Sequence, residues 1–243
     1  MYHWNWGIFL SPTGTGDTYL GWLFSGLGLT VALGLCAWAI ALVLGIGMGV
    51  ARTLPNRTVT IVAGAYVELL RNVPLMVQLF TFYFVLPELL PPDLGMKVKR
   101  MNPVAQQFLA AALCLGLYTS ARIAEQVRAG IDALASSSRQ AALALGLTLG
   151  QAYRHVLVPL ALRVILPPLS SEFMTVFKNS AVASMIGLLE LAAQGRQLVD
   201  YTSQPYEAFI AVTAFYLVVN MSALRVMRFV EARTRVPGFA TAK

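Results

Sequence analysis

Long apolar stretches alternate with short charged ones along the chain. From Thr18 to Ala51 there is no charged residue, and this run exceeds the roughly 20 residues that a helix needs to cross the hydrocarbon core of a bilayer. A second apolar run follows at 60–86, and its charges, Glu68 and Arg71, have the spacing that places both on one helical face. Both runs predict membrane-spanning helices.

Three further runs complete the pattern. Pro103 opens one of them, at a position where the first turn of a helix tolerates proline. Another contains Glu172, Lys178 and two consecutive prolines, Pro167 and Pro168. The prolines predict a broken helix, and we expect the two charged side chains to face protein or water. The sequence therefore predicts an all-α membrane protein with five transmembrane helices, at about 20–51, 60–86, 103–121, 164–189 and 207–227, with tails at 1–19 and 231–243.

Small residues recur at every fourth position of the first predicted span. They form two series: Gly26, Thr30 and Gly34, and then Ala37, Ala41, Gly45 and Gly49. Such series place flat stripes on a helix, where a second helix can approach closely. Gly and Ala are also simply common in membrane helices, so the pattern alone leaves both interpretations open.

The segment 122–163 is charged and amphipathic, and we expect it to lie outside the membrane. It contains two capping-box signatures, each a Ser or Thr followed three residues later by Gln: Ser137 with Gln140, and Thr148 with Gln151. These signatures predict two short helices. Gly146 lies where the first helix should end in a left-handed turn, and Pro159 is expected to end the second.

Composition supports lipid as the solvent of this chain. Its 243 residues are 57% hydrophobic and 12% charged, with a mean hydropathy of +0.66, whereas soluble domains carry about 25% charged residues. The net charge of +7 could indicate nucleic-acid binding, but the basic residues are scattered singly between apolar runs.

The basic residues suit a membrane topology instead. With the N-terminus outside, two Lys or Arg follow the first span, five follow the third and five lie in the C-terminal tail, against four in the opposite loops. Because Lys and Arg accumulate on the cytoplasmic side, this distribution predicts a periplasmic N-terminus and a cytoplasmic C-terminus. The first residues lack the basic start of a signal peptide, so we expect the first span to be retained.

The sequence offers little for catalysis. Cys36 and Cys114 lie inside apolar runs, and neither His3 nor His155 has a second soft ligand near it in sequence, so we expect no metal site and no cofactor. There is no G-x-x-x-x-G-K-[ST] motif, so the chain has no loop of this kind to bind nucleotide phosphates. We therefore expect a transport subunit without catalytic residues, whose energy comes from ATP hydrolysis by a partner chain.

The segment QAALALGLTLGQAYRHVLVP resembles the signature loop of bacterial ATP-binding-cassette importer permeases, which reads E-A-A, three residues, G, nine residues, I-x-L-P. The corresponding residues here are Gln140, Ala141, Ala142, Gly146, Val156, Leu157, Val158 and Pro159. Gln140 replaces an acidic residue of the family. In that family the loop docks in a groove of the ATP-binding subunit and relays its motions. Periodicity alone would equally allow a surface helix pair without a partner.

Two other segments resemble the polar amino-acid branch of these permeases. In YVELLRNVPLMVQLF the matching positions are Glu68, Arg71, Pro74 and Gln78, and Asn72 lies between them. In KNSAVASMIGLLELAAQ the matching positions are Lys178, Asn179 and Ser180. The resemblance implies a substrate path along these residues, since intramembrane charges persist where they pair or line a polar route. A structural ion pair and plain helix packing remain the alternatives for the two segments.

The N-terminal YHWNWGIFL is similar to the start of glutamate/aspartate permease subunits. The resemblance to these permeases also extends from Leu20 to Val230. It implies the type I importer fold and import of an acidic amino acid across a bacterial inner membrane. It also implies three kinds of partner: two ATP-binding subunits, a second permease subunit of the same or another sequence, and a periplasmic amino-acid-binding protein.

Two other functions are weighed against this one. A secondary transporter driven by an ion gradient would show paired inverted repeats, and none is visible in the sequence. An intramembrane enzyme acting on lipid would need clustered His, Asp or Glu in its spans, where only Glu68 and Glu172 occur.

Overall fold

The protein is helical throughout the part of the chain that the structure describes. The computed structural model describes residues 2–14 and 16–234, apart from the side chains of 135–137. Its helices are α1 (Tyr19–Ala51), α2 (Arg57–Asn72), α3 (Leu75–Leu89), α4 (Pro92–Lys99), α5 (Pro103–Ala144), α6 (Leu149–Val164), α7 (Leu166–Ile186), α8 (Leu191–Thr202) and α9 (Pro205–Thr234). A 3-10 helix at Trp6–Leu10 precedes them. Among these described residues there is no strand, only an isolated bridge between Pro12 and Thr18.

Three helices are long and apolar enough to cross a membrane by themselves. These are α1, α5 and α9. Two further pairs, α2 with α3 and α6 with α7, meet the same requirement when each bent pair is taken together. The count then reaches the five spans predicted from hydropathy.

Side-chain caps explain where several helices begin. The Thr18 hydroxyl accepts a hydrogen bond of 3.1 Å from the Gly21 amide at the start of α1. Asn56 accepts one of 3.2 Å from the Val59 amide at the start of α2. Each bond satisfies an amide that has no partner within its own helix.

Prolines mark both breaks between the paired helices. Pro74 lies between α2 and α3, and because it has no N–H it cannot continue the hydrogen-bond ladder of α2. The second break is at Ile165, immediately before the Pro pair in the first turn of α7. The broken helix predicted around that pair is therefore present. The end of α7, Ser180–Ile186, is a 3-10 helix that stops at Gly187 with a φ of +88°.

Two short π-helical segments, called π-turns below, interrupt the α-helical hydrogen bonding. They occupy Thr81–Val85 in α3 and Tyr153–Leu157 in α6. Each is followed within two residues by a proline, Pro87 or Pro159. A π-turn shifts the hydrogen-bond register by one residue, which leaves room for a residue that lacks an amide donor.

The chain divides into two compact units. The first comprises residues 1–37, 74–115 and 175–222. One of its core clusters is built from α1, α8 and α9, with five buried residues: Leu23, Leu191, Leu198, Ala208 and Val212. The first series of small residues contributes to this unit, since Gly26 lies against the backbone of Leu191 and leaves no room there for a larger side chain.

The second unit comprises residues 38–73, 116–174 and 223–243, of which 235–243 lie outside the described residues. A core cluster of Val67, Leu70, Ala121 and Ala124 joins α2 to α5. Gly45 and Gly49 bring α1 against α5: a Cβ at Gly45 would lie 2.9 Å from the Ser120 carbonyl oxygen, and one at Gly49 would lie 2.8 Å from that of Ala124. The second series of small residues is thus a helix-packing stripe.

Candidate functional site

The loop between α5 and α6 is a compact turn centred on Gly146. The Leu147 amide bonds to the Ala142 carbonyl at 3.2 Å and the Gly146 amide to the Leu143 carbonyl at 3.0 Å, the pattern of a Schellman C-cap. Gly146 has a φ of +84°, in the left-handed region that favours glycine. The predicted left-handed turn at this residue is confirmed.

A capping box starts α6, as the sequence predicted. The Gln151 amide donates to the Thr148 hydroxyl at 3.4 Å, and the Thr148 amide donates to the Gln151 side-chain oxygen at 2.8 Å. Together with the turn at Gly146, this cap fixes the direction in which the chain leaves α5 and enters α6.

The helix predicted to begin at Ser137 is not a separate element. Helix α5 runs without interruption from Pro103 through Ala121 to Ala144, and the side chain of Ser137 lies outside the described residues. The fall in hydropathy after Ala121 predicts the end of a membrane span, but it does not end the helix. The residues that follow are rich in Ala, Arg, Gln and Leu, which all favour helix, so the backbone has no reason to break.

Pro159 does not end the helix that contains it. Helix α6 continues to Val164, and the prediction of an end at Pro159 was wrong. The π-turn at Tyr153–Leu157 precedes the proline, which then occupies the first turn of the following α-helical segment. In a first turn the missing N–H costs no intrahelical bond.

The loop residues separate into a buried and an exposed set. Ala142 and Leu157 are buried, while Val156 and Val158 are half-buried. The exposed set comprises Gln140, Ala141, Gly146 and Pro159. Next to Gly146, the side chain of Leu145 is 84% exposed.

One hydrogen bond ties this loop to the turn that follows α1. The Tyr153 hydroxyl donates to the Thr53 carbonyl oxygen at 2.7 Å, and both residues belong to the second unit. Sequence reasoning missed this contact because the two residues are far apart in the chain. The bond joins α6 directly to the residues that follow α1.

The charges of α2 lie beside a cluster of guanidinium groups in the second unit. Arg71 contacts the Glu125 carboxylate at 3.2 Å, and Arg128 contacts the same carboxylate at 3.1 Å. Arg52 forms a third ion pair with Glu125. The interhelix ion pair suggested for Arg71 is therefore present, whereas Glu68 is exposed and has no ion pair within the described residues.

A second ion pair in this unit accounts for the charge in α7. Glu172 is buried and accepts hydrogen bonds from Arg122 at 2.8 and 3.0 Å and from Gln126 at 3.2 Å. As expected for a charge within a broken span, Glu172 faces protein. Its partners on α5 were not predicted.

An open cavity adjoins the cluster around Glu125. Its volume is about 450 Å³, and it is lined by Arg52, Thr60, Ile61, Gly64, Ala65, Glu68 and Arg128. Of the residues proposed from sequence for a substrate path, Glu68 lines this cavity, and Arg71 on the same helix reaches Glu125. Asn72 is exposed at the end of α2.

The remaining predicted path residues belong to the first unit. Pro74 and Lys178 are exposed, Asn179 is half-buried and Gln78 is buried. Ser180 is fully buried and donates to the Phe177 carbonyl oxygen at 2.7 Å, a bond that supports the helix-packing alternative for this residue.

Sequence reasoning missed a buried carboxylate in the first unit. Glu190 is fully buried, caps α8 by accepting from the Ala192 and Ala193 amides at 3.0 and 2.9 Å, and accepts from the Tyr216 hydroxyl at 2.8 Å. The hydroxyl of Thr30 lies 3.4 Å from the same carboxylate and accepts from the Leu191 amide at 3.1 Å. An acidic residue directly before a polar helical stretch was the available signal.

Known proteins resemble this chain over nearly its whole length. Residues 41–236 match the family described as binding-protein-dependent transport system inner membrane component. The chain is 52% identical over 237 residues to the glutamate/aspartate import permease protein GltJ of Escherichia coli (strain K12), covering 97% of this chain and 96% of that protein. It is 32% identical to the probable glutamine ABC transporter permease protein GlnM of Bacillus subtilis (strain 168), covering 84% and 89%.

Two solved structures have a similar fold. A chain from the crystal structure of an amino acid ABC transporter with histidines superimposes with a TM-score of 0.74 at 31% identity, covering 88% of this chain and 95% of that one. A chain of the MetNI methionine ABC transporter, in an inward-facing conformation, gives a TM-score of 0.73 at 19% identity, covering 88% and 97%. The second similarity concerns the fold alone.

Proposed function

Since this chain belongs to the family of binding-protein-dependent transport system inner membrane components, we propose that it is the permease subunit of an ATP-binding-cassette importer for an acidic amino acid, glutamate or aspartate. The observation that carries the proposal is the 52% identity, over 97% of the chain, to a glutamate/aspartate import permease. The N-terminal YHWNWGIFL supports the same substrate.

Energy reaches this subunit from a partner. The sequence has no Gly-Lys pair and hence no P-loop of the usual kind, so two ATP-binding subunits hydrolyse the nucleotide. A periplasmic binding protein delivers the amino acid, and a second permease subunit, of the same or another sequence, completes the pore. Membership of a binding-protein-dependent inner-membrane family supports these three kinds of partner.

The loop around Gly146 is the proposed joint to the ATP-binding subunit. Its exposed side carries Leu145, while its buried side is held by the capping box at Thr148 and by the bond from Tyr153 to the end of α1. A rigid and locally exposed element of this kind can receive a displacement and pass it to a span. Transport is then a shift of population between inward-open and outward-open states, because nucleotide and binding protein prefer different states.

The substrate path includes the polar residues of the two resembling segments. They are Glu68, Arg71, Asn72, Pro74, Gln78, Lys178, Asn179 and Ser180. The exposure of Glu68 and Lys178 supports this assignment for those two residues. An ion-gradient-driven transporter, the alternative considered from sequence, has no such family support.

The decisive experiment is reconstitution of the chain with its ATP-binding subunit, partner permease and binding protein in proteoliposomes. We expect uptake of glutamate and aspartate that requires ATP, with little uptake of glutamine or arginine. The control is the same complex with a hydrolysis-deficient ATP-binding subunit, which should not transport. Uptake without ATP would refute the importer mechanism, and uptake of arginine alone would refute the acidic substrate.

A further inference from the structure

The cavity beside α2 carries both signs of charge. Arg52 and Arg128 line it, and so does Glu68. Its volume of about 450 Å³ lies in the range of roughly 300–1,000 Å³ that is usual for small-molecule sites.

The two arginines are held in place from outside the cavity. Arg128 contacts Glu125 at 3.1 Å and Asp132 at 3.1 Å, and Arg52 contacts Glu125 through Nη1. A guanidinium has five N–H donors in a fixed plane, so Arg52 retains donors beyond the one that Glu125 engages. Because Glu125 does not line the cavity, the arginines are oriented by a carboxylate that a ligand would not displace.

Glu68 differs from three other carboxylates of this unit, those of Glu125, Asp132 and Glu172. Glu125, Asp132 and Glu172 each bind at least one arginine, whereas Glu68 has no ion pair within the described residues and borders the cavity. The Thr60 hydroxyl also lines the cavity and donates to backbone carbonyls at 3.0 and 3.1 Å, so its lone pairs remain available as acceptors. An ammonium group in the cavity would find the Glu68 carboxylate, while Thr60, roughly 12 Å away along α2, adds polar lining elsewhere.

We propose that this cavity is a transit site for the zwitterionic head of an amino acid, with Glu68 binding the α-ammonium group and Arg52 and Arg128 binding the α-carboxylate. The inference rests on the proposed function, because it supplies a stopping place for the imported amino acid within this subunit. Binding through the α-groups is independent of the side chain, so the binding protein would set the choice between amino acids. A zwitterionic phospholipid head shares the same chemistry, and the test separates the two ligands.

Gly64 offers a way to fill the cavity without disturbing the fold. A Cβ added at this helical glycine would have no atom within 4 Å, and the same holds for Gly47 on α1 in the same unit. Leucine at Gly64 would project into the space that the ligand needs. Leucine at Gly47 adds the same side chain away from the cavity lining and is the matched control.

The test measures binding and transport by the full complex in nanodiscs and liposomes of phosphatidylglycerol alone, with radiolabelled glutamate as the probe. Glutamate should bind the complex without the binding protein. Unlabelled glutamine should compete, because it keeps both α-groups, whereas N-acetylglutamate and glutamate α-amide should not. Gly64→Leu should abolish glutamate binding and reduce ATP-driven uptake about tenfold or more. Glu68→Gln should weaken glutamate binding about tenfold, because a charge-assisted hydrogen bond is lost.

Gly47→Leu should match the unsubstituted complex in assembly, binding and uptake. Competition by N-acetylglutamate equal to that by glutamine would overturn the zwitterion assignment. Unchanged binding in Gly64→Leu would place the ligand elsewhere. Loss of glutamate binding on adding phosphatidylethanolamine would identify a lipid as the preferred occupant and also overturn it. In each case, ATP-dependent uptake by the unsubstituted complex would leave the proposed function standing.

Discussion

Gly146 combines a left-handed backbone with an open surrounding. Its φ is +84°, and a Cβ added there would meet no atom within 4 Å. A side chain at this position would therefore act through the backbone and not through a clash with its neighbours. A residue other than Gly, Asn or Asp in the left-handed region costs about 1–2 kcal/mol, more when it is β-branched.

We predict that Gly146→Val abolishes ATP-driven uptake while the protein still reaches the membrane. Valine disfavours the left-handed turn, so the Schellman cap opens and the direction of α6 changes relative to α5. Uptake in proteoliposomes measures the effect, and the amount of protein in the membrane fraction measures insertion.

Gly146→Asn is the matched control, because asparagine tolerates the left-handed region and adds a side chain of similar size. It should retain most of the uptake. Wild-type uptake in the valine variant would refute the role of this joint. Equal losses in the two variants would indicate a steric effect at the docking surface instead of a backbone effect.

Local signals at the residue scale were largely readable from the sequence, and long-range ones were not. The turn at Gly146 and the cap formed by Thr148 depend on neighbours within a few positions, so their spacing was sufficient. Arg71 finds its partner Glu125 on another helix, and no spacing rule connects the two. Glu190 had a local signal, its position directly before a polar helical stretch, but its contact with Tyr216 on α9 could not be predicted.

At the scale of elements, the small residues of α1 determine how closely other helices approach. A Cβ at Gly49 would lie 2.6 Å from Cβ of Val127 and 2.8 Å from the Ala124 carbonyl oxygen on α5. Gly47, two residues earlier and on another face, has open space around it. Gly49 therefore has a packing role, whereas Gly47 shows that some small residues of this helix are there without one.

We predict that Gly49→Leu destabilises the protein by about 1–3 kcal/mol, the usual cost of overpacking, whereas Gly47→Leu has little effect. The backbone carbonyl of Ala124 cannot move aside as a flexible side chain could, so α1 and α5 must separate. Thermal unfolding in detergent, followed by size-exclusion chromatography after heating, would compare the two variants. Equal midpoints for both variants would contradict the packing role of Gly49.

Element boundaries followed some of the chemical signals in the sequence, but the capping signature at Ser137 began no helix and Pro159 ended none. Helix α1 covers the predicted span 20–51, and the breaks before α3 and α7 lie beside prolines. Helix α5 extends far past its predicted end at residue 121, because a drop in hydropathy marks the edge of the lipid-compatible region and not the end of a helix. Hydropathy and helix propensity are separate quantities, and here they change at different positions.

At the scale of the whole molecule, basic residues are distributed unevenly over the predicted loops. The turn after α1, the loop after the predicted third span and the C-terminal tail hold most of them, whereas the opposite side has the local cluster Lys97, Lys99 and Arg100. In that cluster Lys99 forms an ion pair with Glu88 at 2.6 Å, which offsets part of its charge. The N-terminus is therefore expected outside, and the loop around Gly146, called the coupling loop here, is expected inside.

Cysteine labelling tests this orientation. In a Cys36→Ala, Cys114→Ala background, Asp93→Cys in α4 and Leu145→Cys beside Gly146 are both exposed in the chain. We predict that a membrane-impermeant maleimide labels Asp93→Cys in right-side-out vesicles, and labels Leu145→Cys only in inside-out vesicles. The reverse pattern would invert the topology and remove the coupling loop from the side where ATP is hydrolysed.

The helical membrane class followed from composition, but the partition into two units did not. The unit boundaries after residues 37 and 174 lie within α1 and α7, where the sequence pattern continues unchanged. Such a division depends on which helices pack together in space. A single sequence shows which segments favour a helix, but it does not show which helices pack against one another.

The π-turns at Thr81–Val85 and Tyr153–Leu157 bear on how chains of this family can differ in length. A π-turn is an α-helix that accommodates one surplus residue. A relative with one residue fewer at either place could close the turn into regular α-helix and keep both flanking stretches in their own packing. Single-residue gaps between related sequences should therefore collect at these two turns and spare the uninterrupted helices.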